Sequence, residues 1–225
     1  MQVLLTFVTA LVLGAYLMSQ VRKPDRYFGR LFAWIMNQGH SAMTDWGLSH
    51  VAIETHFQIL DVGCGGGRTV SKLAALANNG AVFGIDYADG SIAASRSLNQ
   101  KLIDAGHVFI QKASVSQLPF QDDKFDLVTA IETQYYWPDP LHDMREILRV
   151  MKPGAKLVVI AELYKGGKHD KVSWPVMWLL GSSHLSVDEH RNLFLSAGYE
   201  HIEIAEERNK GWICAIGTKA GKPLS

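Results

Sequence analysis

Ile59-Leu-Asp-Val-Gly-Cys-Gly-Gly-Gly-Arg68 and, thirteen residues on, Ala81-Val-Phe-Gly-Ile-Asp86 decide how this chain folds. The first stretch is an apolar run closed by an acid, then a loop with Gly63, Gly65 and Gly67 at alternate positions. A helical segment from Thr69 to Ala77 follows, and the second apolar run again ends in an acid. A parallel α/β sheet builds a nucleoside pocket in this way at the carboxyl end of a strand. Glycines let the backbone approach a ligand closely, and the acid closing the second strand can accept hydrogen bonds from a pair of ribose hydroxyls.

The dinucleotide fingerprint G-x-G-x-x-G needs its last glycine to pack helix on strand. Counted from Gly63, that position is Arg68. The loop reads D-x-G-x-G-x-G instead, with Asp61 at its mouth. A carboxylate there repels a pyrophosphate and suits a ligand carrying an ammonium group. The reading therefore moves away from NAD and toward S-adenosylmethionine.

Further blocks follow in order: Ser114-Val-Ser-Gln-Leu-Pro-Phe120, Phe125-Asp-Leu-Val-Thr-Ala130 and Glu146-Ile-Leu-Arg-Val-Met-Lys-Pro-Gly154. Together with the glycine loop they resemble a class I S-adenosylmethionine-dependent methyltransferase of the small-molecule group often called type 11. The resemblance covers about residues 51–219. It implies a Rossmann-like α/β fold with a mostly parallel seven-stranded sheet, an antiparallel C-terminal hairpin and helices on both faces. It also implies cofactor contacts. Asp61, Gly63, Cys64 and Gly65 would hold the methionine end and Asp86 the ribose, with Tyr87 beside the adenine. Ser114 and Val115 would border the adenine edge, Val115 through its N–H. Ser114 stands where the family often has Asp.

Strands are expected near residues 57–60, 82–85, 108–111, 127–130, 155–160, 201–206 and 212–217, with a helix at 188–197. The short turn at Asn209-Lys-Gly211 requires its two flanking strands to be antiparallel. Between the fifth strand and the last helix lies an insertion, residues 162–186, placed by this fold over the carboxyl ends of the strands, where an acceptor must bind. Its Tyr164, Trp174 and Trp178, with Trp34, Trp46, Tyr135, Tyr136 and Trp137, are expected to form an aromatic acceptor pocket. Core packing is the alternative for each of them.

Methyl transfer needs alignment more than a particular catalyst. Glu132 is the first candidate for proton removal or acceptor contact, or it completes the methionine pocket. Tyr135 and Tyr136 are candidates to orient a hydroxyl or amine, with His40 and His184 as further bases.

The chain has 225 residues, 48% hydrophobic, with 22 basic and 22 acidic side chains. That suffices for one full core with elaborations. No long Lys/Arg cluster offers a nucleic-acid face. Glu132-Thr-Gln-Tyr-Tyr-Trp-Pro138 also lacks the Asn-Pro-Pro-Tyr type of block of nucleic-acid and protein amide methyltransferases, so the expected partner is a small-molecule acceptor. Two distant cysteines, Cys64 and Cys214, and nine scattered histidines show no metal-ligand spacing.

Residues 1–21 contain no Asp, Glu, Lys, Arg or His. As a helix they would span roughly 31 Å, close to a bilayer's hydrocarbon thickness. Arg22, Lys23, Arg26 and Arg30 supply a basic flank of the kind that stays cytoplasmic. An uncleaved membrane anchor with a cytoplasmic catalytic domain is expected; a helix packed on the domain is the alternative. Residues 22–50 are expected to fold over the cofactor as a helical lid. Two other classes compete with the enzyme: a non-catalytic S-adenosylmethionine-binding regulator or partner subunit, and a NAD-dependent reductase. Nothing in the chain speaks to its oligomeric state.

Overall fold

The computed structural model describes residues 41–179 and 181–221. Residues 1–21, the segment before Ser41, the candidate base His40 and Trp34 lie outside them. Seven strands form one sheet: β1 (Gln58–Val62), β2 (Ala81–Asp86), β3 (Val108–Lys112), β4 (Phe125–Ile131), β5 (Met151–Ala161), β6 (Tyr199–Glu207) and β7 (Trp212–Lys219). Their order is β3-β2-β1-β4-β5-β7-β6. The first five run parallel, while β7 pairs antiparallel with both β5 and β6. The order reverses between β1 and β4, which opens a crevice at the carboxyl ends of these central strands.

The central strands read as unbroken apolar runs because both faces are covered. On one face lie α1 (Ser41–Leu48), α2 (Arg68–Leu76) and α3 (Asp89–Asp104), contributing Met43, Val70, Leu73 and Ile92 to one core. On the other lie α4 (Pro140–Val150) and α6 (Val187–Ala197), whose Met144, Ile147 and Phe194 join a second core. Local chemistry sets where these helices begin. Asp139 caps α4 by accepting the His142 N–H, with Pro140 in the first turn. Ser186 and Glu189 form a reciprocal capping box on α6.

One expectation changes. Strand five begins at Met151, before Pro153-Gly154, and not at Ala155. Its pairing with β4 steps from Phe125↔Met151 to Leu127↔Lys156, so a bulge on β5 absorbs the proline and glycine that read as a turn. The described end of the expected lid segment, α1, packs on the sheet. Met43 is buried, Cys214 on β7 donates its thiol to the Gly47 carbonyl, and Lys72 of α2 pairs with Asp45.

The insertion at 162–186 carries a helix, α5 (Asp170–Leu179), and its ends are tied together. Lys165 donates its N–H to the Leu185 carbonyl at 3.0 Å, and Lys165 and Ser186 form a parallel bridge. Inside it, Tyr135, Tyr164 and Met177 pack with Ala161 and Ile213 in a third, smaller core. Among the described residues, no helix is long and apolar enough to cross a membrane.

Candidate active site at the carboxyl ends of the central strands

The glycine loop after β1 turns back over the end of β2. The Gly63 and Cys64 N–H groups both donate to the Ile85 carbonyl at 2.8 Å. Gly63 has φ 74°, and a Cβ there would lie 2.2 Å from Thr133 Oγ1. Gly65 has φ 49°, and a Cβ on it would meet nothing within 4 Å, so that peptide faces open space.

Asp86 closes β2 and organises this loop. Its Oδ2 accepts the Gly65 N–H at 3.0 Å and its Oδ1 the Ala88 N–H at 2.8 Å. Burial raises its pKa above the usual carboxylate value, and the hydrogen bonds from Ala88, Gly65, Ser91 and Tyr87 oppose that shift. Asp61, at 2% exposure, sits deeper. The Thr129 hydroxyl on β4 donates to its Oδ1 at 2.7 Å, which the register Asp61↔Thr129 makes possible. Burial pushes the Asp61 carboxyl up to about 7, against the Thr129 hydrogen bond and with help from the charge of Asp86.

A cavity of about 380 Å³ opens beside these acids. Asp86, Tyr87, Ala113, Ser114 and Val115 line one end; Val62, Gly63, Thr133, Tyr136, Trp137 and Pro138 line the rest. Seven of the residues singled out for the cofactor or acceptor thus share one space: Gly63, Asp86, Tyr87, Ser114, Val115, Tyr136 and Trp137. Asp61, Cys64 and Gly65 stand behind that lining. The Cys64 thiol is buried against Ser95, and burial pushes its pKa well up.

Glu132 and Tyr135 do not themselves line the cavity; they are joined to one another, next in sequence to the lining residues Thr133 and Tyr136. Glu132 follows β4 with φ 56°, an uncommon conformation for a side-chain-bearing residue. Its Oε1 accepts the Tyr135 hydroxyl at 2.8 Å and the Glu162 N–H at 2.7 Å. The Tyr135 oxygen in turn accepts the N–H groups of Glu162 and Leu163 at 3.1 and 3.0 Å. Buried at 3% exposure, with its pKa pushed well up by burial and the Glu132 charge, Tyr135 ties the 3₁₀ turn Gln134–Tyr136 to the end of β5. His184 is also elsewhere, its Nε2 lying 3.4 Å from Asp170 Oδ1.

The aromatic pocket is smaller than its residue types suggested. Tyr136 and Trp137 line the cavity. Trp46 instead packs against Trp212, and Tyr164 is buried with its hydroxyl donated to Glu206 at 2.9 Å. Trp174 and Trp178 are 55% and 72% exposed on α5. Sequence reasoning missed Thr129, which holds Asp61, and Thr133, Ala113 and Pro138 in the lining. Only the alignment of β1 with β4 could have found Thr129. Among the described residues, no group of three His, Cys, Asp or Glu side chains is arranged to hold a metal ion.

Residues 60–159 match the methyltransferase domain family. The chain is 32% identical over 154 residues to the O-methyltransferase cnsE of Penicillium expansum, covering 67% of this chain and 54% of that protein. It is 28% identical over 167 residues to an O-methyltransferase of Pyrenophora dematioidea, covering 72% and 62%. The chain therefore spans about half to three-fifths of the length of these curated relatives. Its fold superposes on a Haloferax volcanii methyltransferase solved with the Trm112 methyltransferase activator. The TM-score is 0.73 at 21% identity, covering 87% of this chain and 99% of that one. A D-x-G-x-G-x-G loop at the end of β1, an acid closing β2, the sheet order with its antiparallel β7 and the match over residues 60–159 identify a methyltransferase domain built on the class I fold.

Proposed function

We propose that this chain binds S-adenosylmethionine in the cavity between β1, β2 and the turn after β4, and moves its methyl group to a small organic acceptor with an apolar or aromatic body. The observation that carries this is an acid, Asp86, lining one cavity of about 380 Å³, with a second, buried acid, Asp61, on the neighbouring strand behind that lining. The residues fit such a ligand. The Gly65 peptide faces open space, Asp86 can accept from ribose hydroxyls, and the slot between Tyr87 and Val115 can take a flat ring. Asp61 offers a carboxylate to an ammonium group, whose arrival would offset the cost of its burial.

When bound, the cofactor supplies a methyl group activated on a sulfonium. The protein's own part is alignment and the exclusion of water. Tyr136 and Trp137 give the acceptor an apolar wall, and the Tyr136 hydroxyl can orient an acceptor oxygen or nitrogen. Glu132 is the candidate to hold a proton released by the acceptor, with Tyr135 positioning its carboxylate through Oε1. An oxygen acceptor is favoured by the O-methyltransferases among the relatives.

Calorimetry with S-adenosylmethionine and S-adenosylhomocysteine tests the first half of this reading. Micromolar affinity for both is expected. Methyl transfer from labelled cofactor to a panel of phenols, amines and thiols tests the second half. Binding without any transfer would favour the regulator; tight NAD binding with no S-adenosylmethionine binding would favour a reductase.

A further inference from the structure

Helix α5 is amphipathic in an unusual sense: its inner face is small and its outer face is large. Inward, Ser173 and Met177, four residues apart, are 9% and 1% exposed, and Met177 packs with Tyr135 and Tyr164. Outward, Trp174, Trp178 and Leu179 are 55%, 72% and 70% exposed. Residues 174 and 178 lie on one helical stripe, with Lys171 one turn before them. Large apolar side chains presented together to solvent mark a surface that meets something else.

The charges around this face say what. Lys165, Lys168 and Lys171 are all exposed within seven residues at the start of the helix, and Arg208 and Lys210 are exposed on the β6–β7 turn beside it. That turn is adjacent because Lys168 Nζ donates to the Asn209 carbonyl at 2.7 Å. The acids around these cations are partly engaged elsewhere, although Glu206 also pairs with Arg208 at 3.1 Å. Asp170 accepts the Gly166 N–H at 2.8 Å and faces His184, and Glu206 accepts the Tyr164 hydroxyl. Glu189 pairs with Lys165. From Lys171 to Ser186 the chain carries no acid at all. Tryptophan at the polar–apolar boundary with lysines beside it is the composition of a helix that lies in a bilayer interface and prefers anionic lipid.

We propose that the outer face of α5 docks on the surface of a membrane carrying anionic headgroups. The geometry gives this docking a use. Ser183 donates its N–H to the Tyr135 carbonyl at 2.8 Å, so the α5 segment is tied to the turn that carries Tyr136 into the cavity. Docking through Trp174 and Trp178 would hold that turn near a surface into which an apolar acceptor partitions. That use rests on the proposed function, whereas the docking itself is measured with neither cofactor nor acceptor present, so the two can fail separately.

The full chain is mixed with vesicles of phosphatidylcholine plus phosphatidylglycerol, and with phosphatidylcholine alone. Binding is read by co-flotation and by quenching of tryptophan emission with acyl-chain-brominated lipid. Quenching is expected on the anionic vesicles, falling by at least half in Trp174→Phe/Trp178→Phe. Lys165→Gln/Lys168→Gln/Lys171→Gln should weaken binding to the anionic vesicles at least tenfold, and added salt should weaken wild-type binding. Flotation with undiminished quenching in the double tryptophan variant would mean that residues 1–21 alone hold the membrane, and would overturn the proposal. Absence of flotation would overturn it too, as would a shift to a dimer abolished by the tryptophan changes, which would assign the face to a second copy. Unchanged far-ultraviolet circular dichroism and melting temperature in both variants would show that they remain folded.

Discussion

Replacing Asp61 by Asn should make the protein without cofactor more stable and the complex weaker. The Asp61 carboxyl is raised from 3.8 to about 7, mainly by burial. In the unfolded chain it ionises near pH 4; in the folded protein it keeps its proton until about pH 7. Between these values the native state binds more protons than the unfolded state, so this residue's contribution to stability falls as pH rises. Above about pH 7 the whole difference is in force. At about 1.4 kcal/mol for each tenfold in proton affinity, the ionised form costs about 4 kcal/mol. Asparagine removes that cost and keeps an oxygen to accept the Thr129 hydroxyl. Its amide must still be desolvated, at about 1–3 kcal/mol. The net gain is therefore about 1–3 kcal/mol at pH 8, a rise in Tm of several degrees for a chain of this size, shrinking as pH falls and turning into a loss of about 1–3 kcal/mol near pH 4. Thermal melts of both proteins from pH 4 to 8 read this directly, and calorimetry at pH 8 should show affinity for S-adenosylmethionine reduced roughly tenfold or more. A constant Tm difference across that range would refute the titration argument. Equal affinity would remove Asp61 from the ammonium site.

Asp86→Ala should weaken cofactor binding by about 1–3 kcal/mol, since it removes the ribose acceptor and frees the N–H groups of Gly65 and Ala88; unchanged affinity by calorimetry would reject that role. Gly63→Ala places a methyl group 2.2 Å from Thr133 Oγ1 at φ 74°, so it should cost about 2 kcal/mol in denaturant melts. Adding Thr133→Gly should recover only part of this, because the backbone strain stays. Glu132→Gln keeps an oxygen for the Glu162 N–H and should leave Tm unchanged while lowering turnover; wild-type rates with an active acceptor would take Glu132 out of the chemistry.

The sheet was readable because its signal is local. Continuous apolar runs ending in Asp61 and Asp86 mark β1 and β2, and a three-residue turn can only join antiparallel neighbours. What could not be read depends on contacts between distant residues. Thr129 lies 68 positions from Asp61, and nothing in either segment announces the pairing that joins them. Glu132 and Tyr135 looked like a base and its helper because both follow a central strand. Their engagement with the N–H groups of Glu162 and Leu163 depends on where β5 ends, which neither residue type encodes. The tryptophans of α5 pointed to a pocket by composition alone. Met177 takes the inward position, and the larger rings are left outside.

The placement of acids explains why the cavity should prefer a cation to a dinucleotide. Asp61 is the next-to-last residue of β1, Asp86 closes β2, and Glu132 follows β4, so three parallel strands of the sheet's centre each bring a carboxyl to their carboxyl ends. Their electrostatic coupling shows in Asp61, whose pKa the Asp86 charge helps to raise. A pyrophosphate entering here would add negative charge to that set, and the glycine loop, with Arg68 where a third glycine would admit close helix packing, offers it no compensating cradle. An ammonium or sulfonium reverses the sign of every one of these interactions: it favours the ionised Asp61, restores its usual acidity and recovers part of the cost of burial. The folded protein thus holds its penalty in reserve for a positively charged ligand. Proton release follows: below about pH 7, binding of S-adenosylmethionine should expel a proton from Asp61, giving a buffer-dependent calorimetric enthalpy that Asp61→Asn abolishes.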